Sequence, residues 1–192
     1  MTVSLRWILC AQKGQSLIEL TLILPLMVLL AYGAIEVGMV ISTHMSLTHT
    51  TREGANLASR GTPPNDALDA IILAGAPRIG NGNRSQWKIF YSRIIQDPDV
   101  PCPTEPCVYI VDDVNPEGQI FRGTLNKLSK LGTPGTQVST VVLPGIQNVK
   151  PGQTFHVFEV FYDYAPNIIT YVGKGINTDF YDRTVFTNTS GT

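Results

Sequence analysis

The feature that most constrains this chain is a long apolar block near its N-terminus. From Leu20 to Ile35 the chain is apolar except for Thr21, with Pro25, Tyr32 and Gly33 inside the run. Glu36 interrupts the block, and Val37 to Ile41 resume it. The hydrocarbon core of a bilayer needs about 20 mostly apolar residues of helix. Leu17 to Ile41 supplies that length and carries two carboxylates, Glu19 and Glu36, one near each end. A helix that is apolar all round is a membrane span or a core segment, not the surface helix of a soluble domain.

Charge gives the span a direction. Arg6 and Lys13 precede it with no acid among them, and Lys and Arg are absent from residues 14 to 51. Basic residues mark the cytoplasmic flank, so the N-terminus is expected inside and everything after about residue 42 outside the cytoplasmic membrane. A secretory signal would follow an apolar stretch of about 7–15 residues with a small-residue cleavage site. Here no such site follows the run, and the small-residue break comes before it, at Gly14, directly after Lys13. A cut there would leave the apolar helix on the mature protein.

Glu19 sits five positions after Gly14, at the entrance to the apolar run. A carboxylate deep in a bilayer costs about 2.5–3.5 kcal/mol on insertion scales and is expected to have a partner. A cut after Gly14 would create one, the new α-amino group of Gln15. Without a cut, Glu19 would lie in the headgroup layer and face water.

These residues carry a family resemblance. Lys13-Gly14, then Gln15-Ser16-Leu17-Ile18-Glu19, then a long apolar helix, resembles the leader of type IV pilins and pseudopilins. Leu29-Leu30-Ala31-Tyr32-Gly33-Ala34-Ile35-Glu36-Val37-Gly38 and Thr51-Arg52-Glu53-Gly54-Ala55-Asn56-Leu57-Ala58 narrow it to TadE-like proteins, the minor pseudopilins of tight-adherence (Tad/Flp) pilus systems. Pro25 also falls where that family often has Leu-Pro. The chain departs from common pilin patterns at Leu20, where an aromatic is usual, and at Gln15, which is not the phenylalanine of many type IVa pilins.

The resemblance covers about residues 12 to 60. It implies that a prepilin peptidase cuts between Gly14 and Gln15 and that Glu19 helps dock one subunit onto the next. It also implies as partners other pilins or pseudopilins and an inner-membrane assembly platform. Residues 15–192 would be large for the major pilin of such a system, which favours a minor subunit.

One helix is expected from about Ser16 to Ala58, spanning about 65 Å, twice the bilayer core. Pro25 removes one backbone bond and should bend it. Gly33 and Gly38 offer places for close helix approach. Val37, Ile41, Met45, Thr48 and Ala55 lie near one stripe at helical spacing, expected to dock a C-terminal sheet. Glu36 is expected to pair with a base on a partner or to sit at the outer interface. Arg52 and Glu53 read as a solvated or domain-packing pair.

Gly61-Thr62-Pro63-Pro64-Asn65 should end the helix, with Asn65 capping a short second helix over Asp66 to Ala74. Strands are expected at Trp87 to Ile95, Val108 to Val111, Val138 to Leu143, Thr154 to Tyr164 and, at an edge, Tyr181 to Thr187. Gly118 to Gly135 is ambiguous, because Leu125, Leu128 and Leu131 have helical spacing while Gly123 weakens a helix. The sum is an α+β, pilin-like plan: leader 1–14, helix 15–60 with its span at about 17–41, and an extracytoplasmic α+β domain over 61–192.

Cys102 and Cys107 sit in Pro-Cys-Pro-Thr-Glu-Pro-Cys. In an oxidising compartment this spacing favours a disulfide; free thiols or a zinc site are the alternatives, and His44, His49 and His156 show no matching ligand spacing. No metal or cofactor is expected. Asp112, Asp113 and Glu117 read as a solvated acidic turn, because they lack EF-hand spacing for calcium. No P-loop, Gly-x-Ser-x-Gly, His-Glu-x-x-His or dinucleotide fingerprint occurs, so no enzymatic activity is expected. A net charge of −1 gives no field to hold nucleic acid. The rival reading is an uncleaved, membrane-anchored extracytoplasmic adhesin or scaffold.

Overall fold

The computed structural model describes residues 5–75, 84–100, 108–113, 118–138, 143, 152–164 and 179–188, with side chains from residue 17 to 187. The elements in order are α1 (Leu5–Ser59), α2 (Pro64–Ala74), a short 3-10 turn (Arg84–Gln86), β1 (Trp87–Gln96), β2 (Tyr109–Val111), β3 (Gln119–Gly123), β4 (Thr154–Asp163) and β5 (Asp179–Asn188). A long N-terminal apolar helix followed by a small antiparallel sheet domain makes this an α+β protein. The chain divides into two compact units. One comprises Met1–Ile41 and Pro166–Ile176, and the other Ser42–Ala165 and Asn177–Thr192.

Helix α1 starts at Leu5, inside the segment read as a leader, and runs through Pro25. Proline there leaves the Thr21 carbonyl without its usual donor. The Thr21 hydroxyl donates one turn back, to the Leu17 carbonyl at 2.7 Å. The part of α1 from Leu17 to Ser59 is long and apolar enough to cross a membrane. Leu17, Leu22, Met27 and Ile35 are all more than half exposed, as a lipid-facing segment must be.

In the second unit the sheet order is β2-β1-β4-β5, with β3 also on β1. All pairings are antiparallel. β2 and β3 share one edge of β1: β2 pairs with Ile94–Gln96 and β3 with Lys88–Ser92. Residues directly opposite in an antiparallel pair face the same side. One face therefore carries Ile89, Tyr91, Val160 and Phe158, paired Ile89 with Val160 and Tyr91 with Phe158. This face receives α2 and the end of α1. The other face carries Ile94, Phe155 and Val157, which cluster with Tyr109, Val111, Leu131, Val138 and Leu143.

The second face is covered by an irregular strap, residues 124–138, and not by a helix. Gly123 ends β3 at φ +91°, and a Cβ there would meet the Trp87 carbonyl oxygen at 2.3 Å. A positive φ with backbone so close is open to glycine alone. The helical spacing of Leu125, Leu128 and Leu131 is thus overridden: Leu131 is buried while Leu128 is 78% exposed.

Two further expectations are corrected. Asn65 does not cap α2. Pro63 takes the cap position with Pro64 in the first turn, and the Asn65 side chain instead accepts a hydrogen bond from Arg122 at 2.9 Å. Proline with its φ already helical starts a helix without a side-chain cap. The proposed docking stripe is also displaced. Val37, Ile41 and Met45 are 54–60% exposed, and of the five residues named only Ala55 is buried. The expected strand at Val138 to Leu143 lies mostly outside the described residues; Gln137 forms an isolated bridge with Ile110.

Candidate functional site

The segment with the most informative pattern runs along α1, from the glycine before the apolar block to the small residues near its end. Gly14 and Gln15 lie in its helical backbone. Glu19 is exposed at the start of the apolar run, between Ile18 and Leu20, both more than 60% exposed. Gly33 and Gly38 have nothing within 4 Å of where a Cβ would stand. Their small size answers no packing need among the described residues and leaves open notches on the helix. Glu36 differs from its neighbours. It is 2% exposed while Ile35 and Val37 are more than half exposed. Its carboxylate is covered within the chain.

From Thr43 onward α1 is one wall of the domain, and its buried residues follow a helical stripe. Thr43, Leu47, Thr50, Thr51, Gly54, Ala55 and Ala58 are buried. The stripe is small and partly polar, so the helix can lie close to the sheet. Gly54 is its closest point: a Cβ there would stand 1.9 Å from Ile71 Cδ1 on α2 and 3.4 Å from Phe158 Cδ1 on β4. The Thr51 hydroxyl donates to the Asp182 carboxylate on β5, and His44 stacks on Phe180 with ring centroids 6.0 Å apart. Within Thr51-Arg52-Glu53-Gly54-Ala55, then, Thr51, Gly54 and Ala55 face inward, while Arg52 and Glu53 are exposed.

The domain holds two buried carboxylates: Glu159, which the sequence reading did not single out, and Asp112, whose burial corrects the expectation of a solvated acidic turn there. Glu159 on β4 is fully buried. It accepts hydrogen bonds from the Ser129 hydroxyl, from the Lys130 N–H at 3.1 Å and from the Tyr181 hydroxyl at 2.8 Å. Three donors on one carboxylate tie the strap and β5 to β4. Burial, then the Glu159 charge and hydrogen bond, push the Tyr181 hydroxyl well above its ordinary range, so the phenol stays a donor. Asp112 is buried and ion-paired with Arg93. A carboxylate already held by a guanidinium is not a calcium ligand in waiting. His156 lies half-buried across from Arg93. Its Nδ1 is 2.7 Å from the Tyr91 hydroxyl, and burial, then Arg93, hold its pKa below the usual value.

Cys102, Cys107 and Glu117 lie outside the described residues. Among the described residues no three His, Cys, Asp or Glu side chains converge as a metal site. A shallow cleft of about 310 Å³ lies between the strap and β5, with Leu128, Lys130, Phe161 and Tyr181 in its walls. No nucleophile–base pair lines it.

The arrangement is one apolar helix, long enough to cross a membrane, whose distal half is built into a small sheet domain. Residues 14–56 match the family model described as TadE-like protein. The match opens on Gly14 and closes just after Ala55, so it takes in the exposed apolar run and the buried Thr51-Gly54-Ala55 stripe together. It is consistent with a TadE-like protein of Tad pilus systems. No curated protein and no solved structure matches the chain.

Proposed function

We propose that the chain is a minor pseudopilin of a Tad/Flp-type pilus, without enzymatic activity. In this reading a prepilin peptidase cuts between Gly14 and Gln15 on the cytoplasmic side, and the helix then moves from lipid into the base or core of a pilus. Gly14 is the poorest helix former in that stretch, so the helix opens there at least cost. The observation that carries the reading is the TadE-like match over 14–56, together with an apolar run that is exposed from Leu17 to Tyr32. Such a surface needs lipid or neighbouring helices to cover it. The open notches at Gly33 and Gly38 suit helix–helix approach.

Glu19 neutralises the terminal amine of a neighbouring Gln15 as subunits add. In a dry core such a pair is favourable when complete and costly when half made. Glu19→Ala is therefore expected to impair assembly more than cleavage. Immunoblots of membranes for processing, and of sheared filaments for incorporation, separate the two. Normal incorporation of the Ala variant sinks the docking role. The external domain sits outside the inner membrane, with Cys102 and Cys107 joined as a small-loop disulfide. Failure of these thiols to react with a maleimide before reduction checks this last point, and full labelling contradicts it.

A further inference from the structure

We propose that the external domain carries two complementary patches through which one copy of this chain docks head-to-tail onto a second. Outside α1, Leu73 and Leu128 are the most exposed large hydrophobic side chains among the described residues, at 79% and 78%. Each stands in a charged setting, and the settings are opposite. On α2, Asp66, Asp69 and Leu73 recur at helical spacing on the face away from Ile71, the residue seated against Gly54. The helix contains two acids and no base. On the strap, Lys127 and Lys130 bracket Leu128. Residues 124–138 carry these two bases and no acid.

The topology keeps the two patches apart on one copy. Arg122 of β3, at one edge of the sheet, reaches Asp69 at 3.3 Å and so fixes α2 beside that edge. Lys127 pairs with Asp179, and Lys130 lies 3.6 Å over the Tyr181 ring, both on β5 at the opposite edge. These in-chain contacts hold the charges in position. Asp66 and Lys130 enter no ion pair among the described residues. An acidic leucine patch on one edge and a basic leucine patch on the other do not pair with their own kind. They fit a heterologous contact, in which one copy offers its acidic patch and the next its basic patch. A second copy is the occupant that matches both patches in charge and offers each an exposed leucine. The proposal rests on the pseudopilin reading only in that membrane anchoring brings the external domains side by side.

The test uses two differently tagged copies of the full chain, co-produced in their native membrane. One carries Leu73→Cys and the other Leu128→Cys, and a short bismaleimide is added. Chains with only the native cysteines set the background. The mixed pair should cross-link above background and above either same-site pair. Reversing the acidic patch in every copy, Asp66→Lys with Asp69→Lys, should lower the yield about fivefold, the scale expected for two exposed charge pairs turned repulsive. Mixing such copies with Lys127→Glu/Lys130→Glu copies should restore it, a rescue that misfolded variants cannot give. A mixed yield at background, same-site yields equal to it, indifference to charge reversal, or no rescue overturns the proposal. The cross-link is read with and without the prepilin peptidase, so a chain that is never cut still gives an answer here.

Discussion

Gly54→Ala tests how closely α1 must approach the rest of its domain. An added Cβ would stand 1.9 Å from Ile71 Cδ1 and 2.5 Å from its Cγ1. Rotation of the outer Ile71 torsion clears Cδ1 only. The Cγ1 contact needs a new inner torsion, and a β-branched residue in a helix has one strongly preferred choice there. Ile71 is also fully buried, so α2 must shift bodily by about 1 Å to reach ordinary contact distance. Overpacking of this kind costs about 1–3 kcal/mol. Alanine's better helix propensity returns about 1 kcal/mol. The net expectation is a loss of about 1–2 kcal/mol, or a midpoint lower by about 3–8 °C for a domain of this size.

Ile71→Ala alone should cost about 2–5 kcal/mol as a cavity. The double variant should cost less than the sum by about 1 kcal/mol or more, because the new methyl enters the space that Ile71 leaves. Thermal unfolding of the full chain in detergent micelles, followed by near-ultraviolet circular dichroism, gives all four midpoints. A Gly54→Ala midpoint at or above that of the parent, or strictly additive effects, refutes the close-packing argument.

Two other perturbations bear on the buried polar groups. Glu159→Leu strands three donors and should cost about 3 kcal/mol or more, whereas Tyr181→Phe removes one of them and should cost about 1.5–3 kcal/mol; equal losses in the same melting assay contradict the three-donor network. His156 has its pKa lowered in the fold from an ordinary 6.5, so below that pH the unfolded chain takes up a proton that the folded chain resists, and stability falls as pH drops through 6.5. His156→Gln should flatten the midpoint-versus-pH curve between pH 7.5 and 5.5, and an unchanged curve assigns the acid sensitivity elsewhere.

What the sequence made legible was periodicity and punctuation. An unbroken apolar run declares a helix in lipid or a core, and the β-branched and aromatic stretches at Trp87 and Thr154 announce strands whose neighbours they do not name. The docking stripe was harder. Val37, Ile41 and Met45 are large and apolar, and hydrophobicity alone assigns such residues to a core. In this chain they stay exposed, while the domain is met by Thr43, Thr51, Gly54 and Ala55, small residues chosen for closeness. A signal was present in the Thr-rich spacing, since a helix that packs backbone to sheet needs small side chains and not greasy ones. The strap stayed ambiguous in the sequence because leucines three apart imitate a helix while Gly123 argues against one. Its conformation is set from outside, by Gly123 against Trp87 and by Glu159 beneath Ser129. A lone acid inside Phe-His-Val-Phe-Glu-Val-Phe is the mark of a buried, satisfied charge, and its donors lie too far away in sequence to be paired by inspection.

The central claim is that this is a processed, pilus-associated subunit whose mature chain begins with the apolar helix. The most direct test is the intact mass and N-terminal sequence of the protein taken from its native membrane, with and without the prepilin peptidase. The account predicts a chain starting at Gln15 when the peptidase is present and at Met1 when it is absent. A start at Met1 in both contradicts it, and leaves a fixed membrane anchor whose external domain does its work from the bilayer.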